Sequence, residues 1–298
     1  MELIAYNELF EVAFFTELIF NITNQVDGYR IDHHGARKFI IDALVAVQAQ
    51  EELHVLNANN ALFHFTNTTI LPCQYNFPVS NFEDAIALAS TFTDLVLGTL
   101  QDVQNVFGSD GDIGLIRGIG SVIGQEGEQN GFYRQLLGKT PSALPFLTTS
   151  TREFAFSALQ GFVVPGSCPN NTNIALQIFE PLTVLTAPIA NCTQNLTFSF
   201  VAPETQPSTW GADYSGLSMV YINQQNLPVV EKIVGAEKDA STGVVTFQVL
   251  FPFNETTFGA TFGNGLTIAA VTNSSGPFAS ANAVANATVF GPGLIEIK

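Results

Sequence analysis

Apolar residues recur every three to four positions through most of the first 165 residues. This spacing predicts amphipathic helices over about 4–27, 36–65, 81–107 and 112–138, followed by a shorter helix over about 149–163. The first and third connections are short, so the helices that they join are expected to be antiparallel neighbours. The second connection is about fifteen residues long, enough to run the length of a bundle, which is the ferritin-like connectivity.

Beyond residue 175 the pattern changes to short β-rich runs separated by Gly, Pro, Asn and Ser. The clearest runs cover 196–201, 217–222, 244–251, 266–271 and 294–297. Residues 239–243 have the composition of a hairpin turn. Such a texture is typical of an all-β, immunoglobulin-like sandwich. The sequence therefore predicts an α+β multidomain chain, with a ferritin-like helical bundle over 1–165, a linker over 166–180 and a β-sandwich over 181–298.

The charge balance narrows the choice of partners. The 298 residues include 10 Lys or Arg and 26 Asp or Glu, which gives a net charge of −16. A surface of that sign repels nucleic acid, so nucleic acid is not an expected partner. No run of 18 or more apolar residues is present, and no membrane span is expected.

Glycosylation signals are frequent. The sequence contains eight Asn-x-Ser/Thr sequons, where roughly three are expected by chance. Three cysteines, an odd number, leave one unpaired or intermolecular. These features predict a secreted, N-glycosylated protein of the extracellular medium or cell wall. The acceptor residues are Asn21, Asn67, Asn170, Asn191, Asn195, Asn254, Asn273 and Asn286.

Candidate metal ligands lie on the predicted helices. Glu51 and His54 are three residues apart on the second helix, so both side chains leave the same face. Glu-x-x-His is the pair that ferritin-like carboxylate proteins direct into the bundle to bind iron or manganese. Glu17 lies in an apolar run and is expected to be buried, and Glu126 lies in the middle of the fourth helix. The remaining acidic residues of the helices, among them Glu8, Glu11, Glu52 and Glu128, are expected to be solvated.

Glycines mark one face of the fourth helix. Gly120, Gly124, Gly127 and Gly131 are spaced by four, three and four residues. They form a smooth face, and we expect a neighbouring helix or an aromatic side chain to lie close against it.

Four motifs together indicate a family. They are Glu51-x-x-His54-Val55, Leu71-Pro72-Cys73-x-Tyr75-x-Phe77-Pro78-Val79, Glu126-x-x-Gln129-x-x-x-x-Arg134 and Ser167-Cys168-Pro169-Asn170. With them, residues 5–185 resemble the fungal secreted ferritin-like proteins described as stress-response and late-sexual-development proteins, which are related to plant desiccation-related proteins. The resemblance implies that Cys73 pairs with Cys168, which leaves Cys192 as the odd cysteine.

The chain departs from a complete di-metal site of this type. Such a site has a second Glu-x-x-His on the fourth helix and a glutamate on the third, and Gln129 and Thr93 stand at those positions. Asp94 is adjacent to Thr93, but one step along a helix turns a side chain by about 100°. The retained set is then Glu17, Glu51, His54 and Glu126. These residues suit a single Mn, Fe or Zn ion, or a metal-free cluster that shares protons.

Three functions remain open at this point. The first is a secreted, glycosylated protein with a degenerate di-metal centre and a structural, stress- or development-associated role without enzymatic activity, which the loss of two ligands favours. The second is a mononuclear metal-dependent oxidoreductase that uses the residual site. The third is binding of a cell-wall glycan or another extracellular protein through the β domain. A ferritin cage is not expected, since glycans and an appended domain would obstruct its packing.

Overall fold

The structure is a computed structural model, and it describes residues 1–142, 144–169, 174–253 and 264–297. It confirms the α+β class, because a helical region precedes two antiparallel sheets. The backbone packs into two compact units, the first made of 1–89 and 159–176 and the second of 90–158 and 177–298. This division follows packing, and the domain boundaries near 165 and 181 stay a prediction.

All five predicted helices are present, and their ends lie within a few residues of the prediction. They are α1 (Glu2–Thr23), α2 (His34–Thr66), α3 (Phe82–Asp110), α4 (Ile113–Leu136) and α5 (Arg152–Gln160), and a short α6 (Ala281–Ala287) follows near the C-terminus. Capping residues determine where two of these helices begin or end. Asn81 Oδ1 accepts the backbone N–H of Asp84 at the start of α3, and α2 ends at Asn67 in the left-handed region.

Helices α1 and α2 pack together in the first unit and run antiparallel. Their direction follows from two contacts, Gln48 with Thr16 and His54 with Glu8, because the numbers rise along one helix as they fall along the other. Among the buried positions of α1, one set recurs in steps of four and three and forms a continuous stripe along the helix. We call this set the α1 stripe; it comprises Ile4, Glu8, Glu11, Phe15, Leu18 and Ile22.

A covalent clip closes the first unit. Cys73 is bonded to Cys168, as the family resemblance implied. Beside it, Gln74 N–H donates to Ser167 Oγ at 3.0 Å, and Val164 N–H donates to Gln74 O at 2.9 Å. Residues 73–76 are therefore fixed to the segment that follows α5. Cys192 is the free cysteine among those described.

The second unit contains two four-stranded antiparallel sheets, ordered β1-β2-β6-β5 and β4-β3-β7-β8. The strands are β1 (Thr183–Val184), β2 (Gln194–Val201), β3 (Ser218–Asn223), β4 (Val229–Lys232), β5 (Val234–Lys238), β6 (Val244–Phe251), β7 (Gly265–Thr272) and β8 (Thr288–Ile297). The predicted hairpin turn is confirmed between β5 and β6, where Gly243 adopts a φ of 74°.

One apolar core joins the two sheets. Along β6 every second residue is buried, which directs Phe247, Val249 and Phe251 into the same cluster as Tyr221 and Phe290 of the other sheet. Strand β7 is buried along its whole length. Its other face packs, within this unit, against side chains of α3, α5 and α6. The two four-stranded sheets therefore form a sandwich, and helices cover one of its outer faces.

Candidate metal centre

Helix α1 contributes two buried carboxyl groups. Glu8 and Glu11 occupy consecutive positions of the α1 stripe, and each is only 1% exposed. The prediction that they are solvated is wrong. Their spacing places them where apolar residues such as Phe15 continue the same stripe, so burial of the helix face buries them as well.

Helix α2 contributes the predicted Glu-x-x-His pair. Glu51 is completely buried, and the side chain of His54 is 16% exposed. His54 Nδ1 lies 2.8 Å from Glu51 Oε2 and 3.5 Å from Glu8 Oε2. A single ring nitrogen of His54 is thus close to carboxylates of both helices.

Glu17 does not join this group. The expectation that it is buried is wrong, because the structure leaves its side chain exposed. Glu17 lies nine residues after Glu8, and nine steps of about 100° place it on the opposite side of the helix. Glu8 therefore takes the place on α1 that the sequence assigned to Glu17.

Glu126 of α4 is completely buried. Within the first unit, Glu8, Glu51 and His54 each offer one ligand atom, and these three atoms lie within 4.8 Å of one another. In the second unit, Gln129 and Thr93, which stand at the lost ligand positions, are also buried, and Gln129 Oε1 accepts from the Tyr133 hydroxyl at 3.4 Å.

Burial and mutual repulsion shape the electrostatics of the carboxyl groups. Desolvation, followed by the charges of Glu51 and Glu11, holds the pKa of Glu8 well above its usual range. Desolvation, followed by the charge of Glu51, likewise raises the pKa of Glu11, against the opposing effect of a hydrogen bond from Asn7. The Asn7 amide donates to Glu11 Oε1 at 2.8 Å. Without a compensating cation, burial and repulsion favour the protonated forms of Glu8 and Glu11.

The donor set suits a divalent ion. Ligands about 2.1 Å from a metal and at right angles to each other are about 3 Å apart, close to both separations of His54 Nδ1 from the carboxylate oxygens. Glu8 Oε2 is buried and accepts no hydrogen bond from the described residues. Carboxylate oxygens with one imidazole suit Mn, Fe or Zn better than soft thiolate-seeking ions. The residues present therefore fit one metal ion.

The sequons differ from the site in being exposed. Among the described acceptors, Asn67, Asn191, Asn195, Asn273 and Asn286 are exposed and Asn21 is half-buried. Asn170 and Asn254 lie outside the described residues. Across the described ranges, no helix is long and apolar enough to cross a membrane.

Comparison with known proteins adds no relative. No family model matches the chain, and no curated protein matches it. The class that the fold and site define is thus an α+β protein with a buried glutamate–histidine cluster that could hold a metal ion. The resemblance to the fungal ferritin-like family stays a prediction from the four sequence motifs.

Proposed function

We propose that this chain is a secreted, N-glycosylated protein of the ferritin-like type whose helical part binds one divalent metal ion. Glu8, Glu51 and His54 of the first unit are the proposed ligands. The observation that carries the proposal is that two buried carboxylates and one histidine offer ligand atoms within 4.8 Å of one another.

The physical argument is the cost of the cluster without a cation. An isolated buried carboxylate is expensive, and several together raise one another's pKa. A divalent ion bound between Glu8 and Glu51 would balance the charge of the two carboxylates. Glu11 then serves as a neutral neighbour that accepts the Asn7 amide hydrogen bond, and its raised pKa supports that role.

The placement and exposure of the proposed ligands bear on the chemistry that a bound ion would supply. Glu51 and His54 are set by the i, i+3 spacing on α2, and Glu8 faces them from α1. A bound ion of this kind would supply Lewis-acid or one-electron redox chemistry. The side chain of His54 is the partly exposed member of the set. A mononuclear oxidoreductase is therefore the candidate enzyme, whereas recognition of glycans by the β domain stays a prediction from sequence.

The secreted location is supported by independent features. A disulfide is typical of proteins that fold in an oxidising compartment. The described sequon asparagines are exposed or half-buried, as an N-glycan requires. The stress- or development-associated setting belongs to the proposal through the family resemblance.

The first test is elemental analysis by mass spectrometry of full-length protein purified without chelator or affinity metal. We expect about one equivalent of Mn, Fe or Zn per chain. Glu51→Gln and His54→Gln should lose it, with the fold checked by circular dichroism. Glu52→Gln and Glu17→Gln are matched controls, since both residues are exposed on the same two helices, and they should retain the metal.

The result also separates the competing interpretations. Metal well below one equivalent, unchanged after reconstitution with Mn²⁺, Fe²⁺ or Zn²⁺, would overturn the proposal in favour of a metal-free carboxylate cluster. Two equivalents per chain would show that a di-metal centre forms despite Gln129 and Thr93. Equal loss of metal in Glu52→Gln and Glu51→Gln would place the ion elsewhere.

A further inference from the structure

A cavity of mixed polar and apolar lining lies entirely within the second unit, and Glu8, Glu51 and His54 do not line it. Its volume is about 140 Å³. Helix α3 contributes Asp94 and Leu97, and α4 contributes Gly127, Asn130 and Arg134. Residues 141, 142, 144 and 146–148 form the remaining wall together with the start of β7.

Arg134 is the cationic group of this cavity, and it is only 4% exposed. Its Nε donates to Thr140 O at 2.8 Å, and its Nη1 donates to Glu296 Oε1 at 2.8 Å. Its Nη2 is buried and has no acceptor among the described residues. A guanidinium with an unused, buried nitrogen lacks the partner that such groups normally have.

The charges around Arg134 leave room for an anion. Lys139 Nζ lies 3.0 Å from the same oxygen of Glu296, so two cations share one carboxylate. Asp94 could supply the second negative charge, but burial, followed by the charge of Glu296, raises its pKa to about 7. Asp94 Oδ1 accepts the Asn130 amide at 2.7 Å. With a pKa of about 7, Asp94 is about half protonated at neutral pH, and its protonated form leaves Arg134, Lys139 and Glu296 with a net charge of +1.

The volume of the cavity and its apolar lining indicate the size and character of the uncharged part of the ligand. A cavity of about 150 Å³ lined by apolar side chains is known to accommodate benzene. Leu97, Phe146 and Leu266 supply apolar wall, and Phe146 is itself exposed at the surface. A planar or short apolar body fits beside the polar end formed by Arg134 and Asp94.

Helix α4 keeps its side of the cavity open with glycine. A Cβ at Gly127 would meet no described atom within 4 Å, and one at Gly131 would lie 3.7 Å from Pro141 O. The expected close neighbour of the glycine face is found at Gly120, which Gln104 approaches, but not at Gly124 or Gly127 among the described atoms.

We propose that this cavity binds a small organic carboxylate of about the size of benzoate. The carboxylate accepts hydrogen bonds from Arg134 Nη2, and its apolar body lies against Leu97 and Leu266. Protonated Asp94 is placed to donate to the second oxygen of the ligand.

Isothermal titration calorimetry of the full chain in chelator tests this assignment, with benzoate as the probe. We expect saturable binding with a Kd on the order of 0.1–1 mM, typical of a ligand of this size. Benzamide lacks the charge and acetate lacks the ring, and each should bind at least 10-fold more weakly. Equal binding of benzamide or acetate, or no benzoate binding at millimolar concentration, would overturn the proposal.

Three variants locate the binding. Arg134→Lys keeps a cation beside Glu296 but removes Nη2, so benzoate should bind at least 10-fold more weakly. Gly127→Leu should occlude the cavity, whereas Gly124→Leu introduces the same side chain on the same helix at a position that does not line it. Unchanged affinity in Gly127→Leu, or equal loss in Gly124→Leu, would contradict the assigned site even if Arg134→Lys failed to fold.

Discussion

Glu8 and Glu17 are the same residue type on the same helix, yet only Glu8 is buried beside α2. The difference arises from helical phase, because nine residues correspond to two and a half turns. Whether a glutamate of this helix is buried therefore depends on its position relative to the apolar stripe, not on the hydrophobicity of its immediate neighbours in sequence. Glu17 is surrounded in sequence by apolar residues but is exposed.

Replacing Glu8 with leucine should separate stability from metal binding. In chelator, Glu8→Leu is expected to raise the free energy of unfolding by about 1–3 kcal/mol, since leucine continues the α1 stripe and relieves repulsion with Glu51 and Glu11. The same change should abolish metal binding. Urea denaturation and elemental analysis measure the two effects.

Glu17→Leu is the control for that substitution. Its side chain is exposed on the opposite face, so stability should change by less than about 0.5 kcal/mol and metal content should not change. Loss of stability in metal-free Glu8→Leu would show that the Glu8 carboxyl is stabilised by contacts stronger than the repulsion described above.

Asp94 should make stability depend on pH. Its pKa is raised from 3.8 to about 7, first by burial and then by Glu296, so the folded chain holds a proton that the unfolded chain has released. Its stabilising contribution is complete below about pH 4 and is lost as pH rises through about 7, with a magnitude on the order of 1–4 kcal/mol. Urea midpoints of protein in chelator should therefore fall between pH 5 and pH 8.

Asp94→Asn should reduce that fall. Asparagine keeps the oxygen that accepts from Asn130 and does not titrate. Parallel pH profiles for the two proteins would show that Asp94 is not the responsible group. The comparison is a difference between two proteins, so it cancels the contribution of Glu8 and Glu11, whose raised pKa values act in the same direction.

Helical periodicity predicted the long elements well because each spans six or more turns and its apolar pattern repeats. The short strands β1, β4 and β5 and helix α6 were missed, since two to seven residues carry too little pattern to distinguish them from loops. They are stabilised by pairing and packing with distant segments, for example Val234 opposite Gln248.

The site was predicted in part for a similar reason. Glu51 and His54 were identified because i, i+3 spacing is local information, and Glu126 is buried in the centre of its helix. Glu8 was missed although a signal existed: Glu8 and Glu11 continue the spacing of four and three that Ile4, Phe15 and Leu18 define. The helical spacing of these positions therefore predicts the burial of Glu8 and Glu11, whereas the apolar composition around Glu17 does not predict burial of Glu17.

The clip between Cys73 and Cys168 should stabilise the first unit strongly. The two bonded cysteines are 95 residues apart in sequence. Closing a loop of that length in the unfolded chain stabilises the folded state by about 3–5 kcal/mol. Cys73→Ser and Cys168→Ser should each lower the free energy of unfolding by that amount, and the double variant should lower it no further. Denaturation in urea measures the change.

Cys192→Ser is the control for the clip. Cys192 is free and lies in the loop just before β2, so its replacement should leave stability within about 0.5 kcal/mol of the parent protein. A larger loss in the double variant than in either single variant would indicate that each remaining cysteine contributes on its own, rather than through the bond.

The surface of the chain combines little charge with large exposed apolar side chains. Charged residues make up 12% of the sequence, while Phe63 and Phe65 near the end of α2 are more than half exposed. Asn67 lies two residues after Phe65 and is exposed at the helix end. An N-glycan at Asn67 would lie beside these rings and shield apolar surface that otherwise favours aggregation.

Secreted expression in a eukaryotic host, with glycopeptide mass spectrometry, should find Asn67 and Asn273 glycosylated. Thr69→Ala removes the first sequon without changing the left-handed Asn67, and we expect it to aggregate at lower concentration than the parent. Ser275→Ala removes the second sequon, which no exposed phenylalanine adjoins in sequence, and should leave solubility unchanged. Each variant loses one glycan. Equal aggregation of the two variants would therefore mean that the number of glycans matters, rather than coverage of the α2 phenylalanines. An unmodified Asn67 would contradict the shielding role altogether.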